Sequence, residues 1–253
     1  MLKANVISPS SEMLLTSGGV TTDVMRERLR EMVWLRDYGS NINVLRIADG
    51  WQLFSRNDPV SNLARTEQYV EGPLSQVWSN RYLQWALGKR ATIKTILLQS
   101  KKPVEVRALL KQTDLLVAPG ANTYQLIRGI EPFAGIIRGA VARGLPYLGE
   151  SAGSIIAGRT ITPASLKPAD TCPDIELLNA PGLGLLDADV VVHAKGTHGR
   201  FDIHDPTALV ARLVLATVSS DSDKFVAKDD GTIVYSLNER QALSVQAGKI
   251  EII

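Results

Sequence analysis

Ser151 lies in Gly149-Glu150-Ser151-Ala152-Gly153, a Gly-x-Ser-x-Gly run entered by the apolar stretch Leu145 to Leu148 and followed by Ile155-Ile156-Ala157. A serine hydroxyl becomes a useful nucleophile only when a base takes its proton and when it stands clear of the sheet. A sharp strand-to-helix turn provides the second condition by holding the serine in a strained backbone conformation. The flanking glycines remove side chains that would meet neighbouring backbone, and the following helix aims amide donors at developing negative charge. The chemistry implied is acyl transfer through a serine.

Three histidines could supply the base: His193, His198 and His204. Only His193 ends an apolar strand-like run, Val190-Val191-Val192, which can aim it across the carboxyl edge of a sheet. The other two lie in polar loop sequence, and the three match no metal-ligand spacing. An oxyanion needs donors, and Pro119-Gly120-Ala121-Asn122 offers small residues at another strand end. The amides of Gly120, Ala121 and Ala152 form the expected hole, while Asn122 can cap the next helix. The acid that orients the histidine is left open among Asp187, Asp189, Asp202, Asp205, Asp229, Asp230 and Glu239.

These residues need a scaffold, and the pattern supplies one. Apolar runs at Met13 to Thr16, Val44 to Ala48, Ile93 to Leu98, Asp114 to Ala118, Leu145 to Leu148 and Val190 to Val192 read as strands. Helical periodicity separates them. One helix starts after Thr22, with Val24, Met25, Leu29, Met32 and Val33 on one face, and stops near Gly39. Another opens at Pro73, with Val77, Trp78, Tyr82 and Trp85 inward. Others cover Pro103 to Lys111, the segment after Asn122, Pro132 to Arg143, and Pro206 to Val218. Residues 51–71 read as irregular, and Ala247-Gly248 as a hairpin turn within a strand-rich C-terminus. The expected fold is a doubly wound α/β domain over residues 1–253, with a mainly parallel sheet, helices on both faces and C-terminal β-hairpin elements.

Composition narrows the function further. Apolar residues make up 45% and charged residues 21% of the 253, as in an ordinary globular protein, and the formal charge is only +2. With Lys and Arg scattered, no nucleic-acid partner is expected. The single cysteine, Cys172, excludes an internal disulfide and multi-thiolate metal sites. With neither a signal-like start nor a bilayer-length apolar run, a cytoplasmic protein with no membrane partner is expected. No metal or organic cofactor is called for, and a homodimer is allowed.

The segments together resemble the peptidase E family: aspartyl dipeptidases and cyanophycinase-like serine peptidases on a class I glutamine amidotransferase-like, flavodoxin-like fold. The resemblance covers about residues 114–230. It rests on Pro119-Gly120-Ala121-Asn122-Thr123-Tyr124-Gln125-Leu126, Gly149-Glu150-Ser151-Ala152-Gly153, Gly182-Leu183-Gly184-Leu185-Leu186, and His193 with Gly199-Arg200-Phe201. It implies Ser151 as nucleophile, His193 as base, and an acid just before a later strand, where Asp230 matches best and Asp229 next. The family usually has glutamate there, a second glycine in place of Ala121, and phenylalanine in place of Ala194. Asn122 and Arg200 are the implied substrate contacts, with Arg200 pairing an acidic side chain. The implied activity is hydrolysis of dipeptides or small peptides. Rival readings are a small-molecule esterase, which would want an acid before the histidine such as Asp170 or Asp187, and a non-catalytic binding member.

Overall fold

The computed structural model describes residues 6–34, 41–49, 81–167, 170, 172, 175–193, 217–218, 224–226 and 233–253. Seven strands form the central sheet: β1 (Met13–Thr16), β2 (Ile42–Ile47), β3 (Ala91–Ile96), β4 (Leu115–Ala118), β5 (Tyr147–Glu150), β10 (Ala242–Gln246) and β11 (Lys249–Ile252). Their order is β11-β10-β1-β5-β4-β2-β3, with the five from β1 to β3 parallel, β10 antiparallel to β1 and β11 antiparallel to β10. A second sheet runs β6-β9-β8-β7, from Asp189–Val191, Ile233–Ser236, Lys224–Val226 and Thr217–Val218. The architecture is α/β with a mostly parallel central sheet.

Apolar residues continue through the parallel strands because both sheet faces are covered. Met13, Leu15, Leu45, Leu116 and Tyr147 point into one core, where α3 (Pro103–Lys111), α4 (Thr123–Ile130), α5 (Ala134–Ala142) and α6 (Ala152–Ala157) pack. Leu14, Val44, Leu115, Val117 and Leu148 point into the other, against α1 (Asp23–Trp34) and α2 (Arg81–Leu87). The period-two alternation decides which face each residue serves.

Local signals act as expected at several ends. The Thr22 hydroxyl accepts from the Met25 amide at 3.2 Å, and Asn122 accepts from the Gln125 amide at 3.1 Å, capping α1 and α4. Ala247 and Gly248, with φ of 49° and 77°, link β10 to β11 in a two-residue hairpin. The Gly182 to Leu186 run wraps the end of α6. Amides of Leu183, Gly184 and Leu185 donate to the carbonyls of Ile156, Gly158 and Ala157, which satisfies acceptors the helix leaves unpaired.

Other expectations are corrected. Val24 is 60% exposed, outside the buried face formed by Met25, Leu29, Met32 and Val33. Trp85 is not core either: it is 50% exposed, and the Arg26 guanidinium lies 4.8 Å from its ring centre. A cation over an indole face gives an exposed tryptophan a reason to stay ordered. The helix expected over Pro132 to Arg143 begins with a 3-10 turn at Glu131–Phe133 before α5. The one expected over Pro206 to Val218 ends instead in strand β7 at Thr217–Val218, with residues 206–216 outside the described residues. The 51–71 stretch, Val77 and Trp78 are also outside them.

The second glycine of the Ser151 turn marks where α6 meets β4. A Cβ on Gly153 would overlap the Ala118 carbonyl oxygen and lie 2.6 Å from its carbon. Backbone cannot yield as a side-chain tip can, so Gly153→Ala is expected to lower stability by about 3 kcal/mol or more. Urea denaturation monitored by circular dichroism measures this; a loss under 1 kcal/mol would show that the two elements separate easily.

Candidate active site

Ser151 has φ 48° and ψ −108°, a positive φ outside the ordinary allowed regions for a residue with a side chain, between β5 and α6. Several contacts hold it there. Its amide donates to the Thr16 carbonyl at 3.0 Å, its carbonyl accepts from Ser154 and Ile155, and the Ser154 hydroxyl donates to the same Thr16 carbonyl at 2.7 Å. A Cβ on Gly149 would lie 2.8 Å from the Gly153 carbonyl oxygen, so both glycines of the motif permit close approach of backbone.

Ser151 Oγ is 2.9 Å from His193 Nε2. His193 itself has φ 59°, and its amide donates to the Ser17 hydroxyl at 2.7 Å. Its Nδ1 contacts Glu239 Oε1. Serine, imidazole and carboxylate therefore form one chain, in the sequence order Ser–His–acid.

Strand register explains the meeting. Thr16 pairs with Glu150 across the parallel β1–β5 ladder, so the loops carrying Ser17 and Ser151 leave the carboxyl edge side by side. Thr16 also pairs with Ala242 on antiparallel β10, which brings Glu239, three residues earlier, against Gly18. In the second sheet Val191 pairs with Ser236, so His193 and Glu239 follow neighbouring strand ends. Gly18 leaves the room required, because a Cβ there would collide with the Glu239 carboxylate. The 237–241 turn holds its own shape: the Gln241 amide donates to the Asn238 carbonyl at 3.0 Å, and the Thr21 hydroxyl donates to the Glu239 carbonyl at 3.0 Å.

The sequence reading favoured Asp230 as the acid. The carboxylate on His193 is Glu239, which lay among the open candidates, while Asp229, Asp230 and Arg200 fall outside the described residues. Asp170, the earlier acid an esterase order would use, is turned to the Thr123 amide and hydroxyl. Ser17 was read only as part of a tight loop. The 120s loop lies beside Ser151, since a Cβ on Gly120 would lie 3.4 Å from the Ser151 Cβ. Ala121 follows it, its carbonyl accepting from Lys167 Nζ at 3.2 Å. Asn122 spends its side-chain oxygen on the α4 cap, and Ala152 is buried at the start of α6. Among the described residues no group of three or more His, Cys, Asp or Glu side chains could hold a metal ion, and no helix is long and apolar enough to cross a membrane.

Glu150, next to Ser151, is buried on the α1–α2 face and accepts from the Tyr82 hydroxyl. Burial raises its carboxyl to about 7 from an ordinary 4.5, against the opposing pull of Arg46. Asp49, beyond β2, is raised by burial to about 6 from 3.8, although the Leu98 and Gln99 amides donate to it. Both groups hold a proton in the folded chain over a range where the unfolded chain has lost it. Stability should therefore fall as pH rises from about 4 to 7 and level off above. Glu150→Gln removes the larger part of that slope. Urea midpoints between pH 5 and 7.5 test it: a slope unchanged in the variant would clear Glu150 of the effect.

A serine–imidazole–carboxylate chain at the carboxyl edge of a mostly parallel sheet defines the class of site. The chain belongs to peptidase family S51, whose profile matches residues 80–253. It is 26% identical over 147 residues to peptidase E of Haemophilus influenzae, covering 56% of this chain and 59% of that one. To peptidase E of Pasteurella multocida it is 29% identical over 91 residues, 35% of this chain and 39% of that one. The matches thus span 59% and 39% of the lengths of these two curated relatives. A Listeria monocytogenes EGD-e structure named for peptidase E superposes with a TM-score of 0.58 at 15% identity, covering 96% of this chain and 98% of that one. A peptidase structure from an acI-B1 Actinobacterium gives 0.57 at 15%, covering 98% and 88%. At such identity these two speak for the fold.

Proposed function

We propose that the chain is a serine peptidase that cleaves dipeptides or other short peptides through an acyl-enzyme on Ser151. The contact from Ser151 Oγ to His193 Nε2 at 2.9 Å, with Glu239 on the far ring nitrogen, carries the reading. Glu239 keeps the proton on Nδ1, which leaves Nε2 free to accept the serine proton as Oγ attacks the peptide carbonyl. The resulting oxyanion faces the amides of Gly120, Ala121 and Ala152. His193 then gives the proton to the leaving amine, and a water activated by the same nitrogen hydrolyses the ester.

The relatives named peptidase E support a peptide substrate. A preference for an acidic N-terminal residue rests on the family resemblance and on Arg200. A dipeptide library assayed against the purified chain tests both. Release from Asp-Xaa dipeptides above all others is expected, with a fluorophosphonate probe labelling Ser151. Failure of the folded protein to label would remove the hydrolase reading; labelling with no acidic preference would remove only the specificity.

A further inference from the structure

Lys167 and Asp170 form an ion pair at 3.1 Å whose side chains are only 10% and 3% exposed. Surface pairs of this type contribute little, but a buried pair costs desolvation and must be held by further hydrogen bonds. Among the described residues the further side-chain hydrogen bonds of the pair run to one loop. Lys167 Nζ donates to the Ala121 carbonyl at 3.2 Å, and Asp170 Oδ2 accepts from the Thr123 amide at 3.0 Å and from its hydroxyl. A peptide unit is planar, so fixing the Ala121 carbonyl fixes the 121–122 plane, and fixing the Thr123 amide fixes the 122–123 plane. Two successive planes are thus pinned, one by each partner, immediately beyond the Gly120–Ala121 peptide, and Gly120 sits against Ser151. The 3-10 turn Thr162–Leu166 presents Lys167, whose amide donates to the Ala164 carbonyl at 3.0 Å. Burial lowers the ammonium's pKa while Asp170 opposes the shift, which suits a cation held for position.

We propose that Lys167 and Asp170 are positioning residues for acyl transfer: together they set the orientation of the Gly120–Ala121 amides relative to Ser151. This rests on the hydrolase reading above. The pair touches no reacting atom. Its effect is to keep donors at the place where negative charge develops, and a displacement of an ångström there is costly in rate.

The test uses Lys167→Met, Asp170→Asn and the double variant in the full chain. Each single variant leaves one buried group without its partner, so both are expected to lose stability, whereas the double variant regains most of it. The probe is an alkyl fluorophosphonate: serine oxygen bonds to phosphorus, fluoride leaves, the proton passes to His193, and the phosphoryl oxygen occupies the oxyanion position. In the folded double variant the maximal labelling rate is expected to fall about 10- to 100-fold with little change in the concentration giving half of it. Amide hydrogen exchange over residues 120–123, measured in a Ser151→Ala background, should quicken. A double variant that unfolds at the unaltered temperature and labels at the unaltered rate overturns the inference and leaves the hydrolase reading intact. An unaltered chain that does not label at all overturns both.

Discussion

Ser151→Ala is expected to reduce kcat on the best dipeptide by about a million-fold, the scale on which loss of a serine nucleophile acts when the rest of the site survives. The fold should not suffer. Ser151 lends no side-chain bond to the start of α6, and its hydroxyl contact is to His193 Nε2. Alanine has the same Cβ and so bears the same strain at φ 48°. Unfolding free energy within about 0.5 kcal/mol of the unaltered chain is expected, as for substitutions that remove no packing. The two readouts must diverge: urea denaturation unchanged, hydrolysis and fluorophosphonate labelling gone. Residual hydrolysis near the unaltered rate would mean that another group attacks the substrate. Ser151→Gly would be similarly inactive but somewhat more stable, because glycine occupies positive φ without strain.

The energetic logic of the site is that of strain held by its surroundings. Two side-chain-bearing residues, Ser151 and His193, sit at positive φ, and each is tied at its own amide, to the Thr16 carbonyl and to the Ser17 hydroxyl. Both ties come from the end of β1. That strand is central, paired on one side with β5 and on the other with β10, so its end is as rigid a reference as the sheet provides. Ser151 and His193 are thereby positioned from a common point, which keeps their separation short.

How much of this could be read from the sequence follows from the range of each interaction. Ser151 is announced by its own neighbours, since glycines two residues either side and an apolar strand before it are local features. His193 is announced by the strand it ends. The parallel core strands and the capped starts of α1 and α4 are local in the same sense. Glu239 has no such signal, because its place is fixed by β10 lying antiparallel beside β1, more than 200 residues away in the chain. The family resemblance, which implies an acid just before a later strand, points to Asp230 instead. A usable hint was present: the resembling family has glutamate at this position, and Glu239 is the one glutamate among the seven carboxyls considered. Trp85 misled for a different reason. Helical spacing placed it beside Tyr82 and assumed burial, whereas Arg26 on α1 offers its ring a cation at the surface.

Glu239→Gln is the substitution that decides the acid, and kcat is expected to fall about 10³- to 10⁴-fold. Glutamine keeps the size and reach of the side chain, so the 237–241 turn and the gap over Gly18 are undisturbed. It removes the charge that stabilises the imidazolium formed when His193 takes the serine proton. Its amide can also donate to Nδ1, which would put the imidazole proton on Nε2, where it blocks acceptance from Ser151. With the carboxylate 30% exposed, the cost to stability should be small, and KM should change little because Glu239 touches the histidine and not the substrate. Asp230→Asn serves as the matched control and is expected to stay within about three-fold of the unaltered chain if Glu239 orients the imidazole. Steady-state kinetics and fluorophosphonate labelling rates on both variants separate the possibilities. Loss in Asp230→Asn with retention in Glu239→Gln would transfer the role to Asp230 and require the 230s segment to displace Glu239 from Nδ1. Loss in Glu239→Gln alone fits an acid delivered to the base by sheet pairing, from a turn that follows the histidine in the chain.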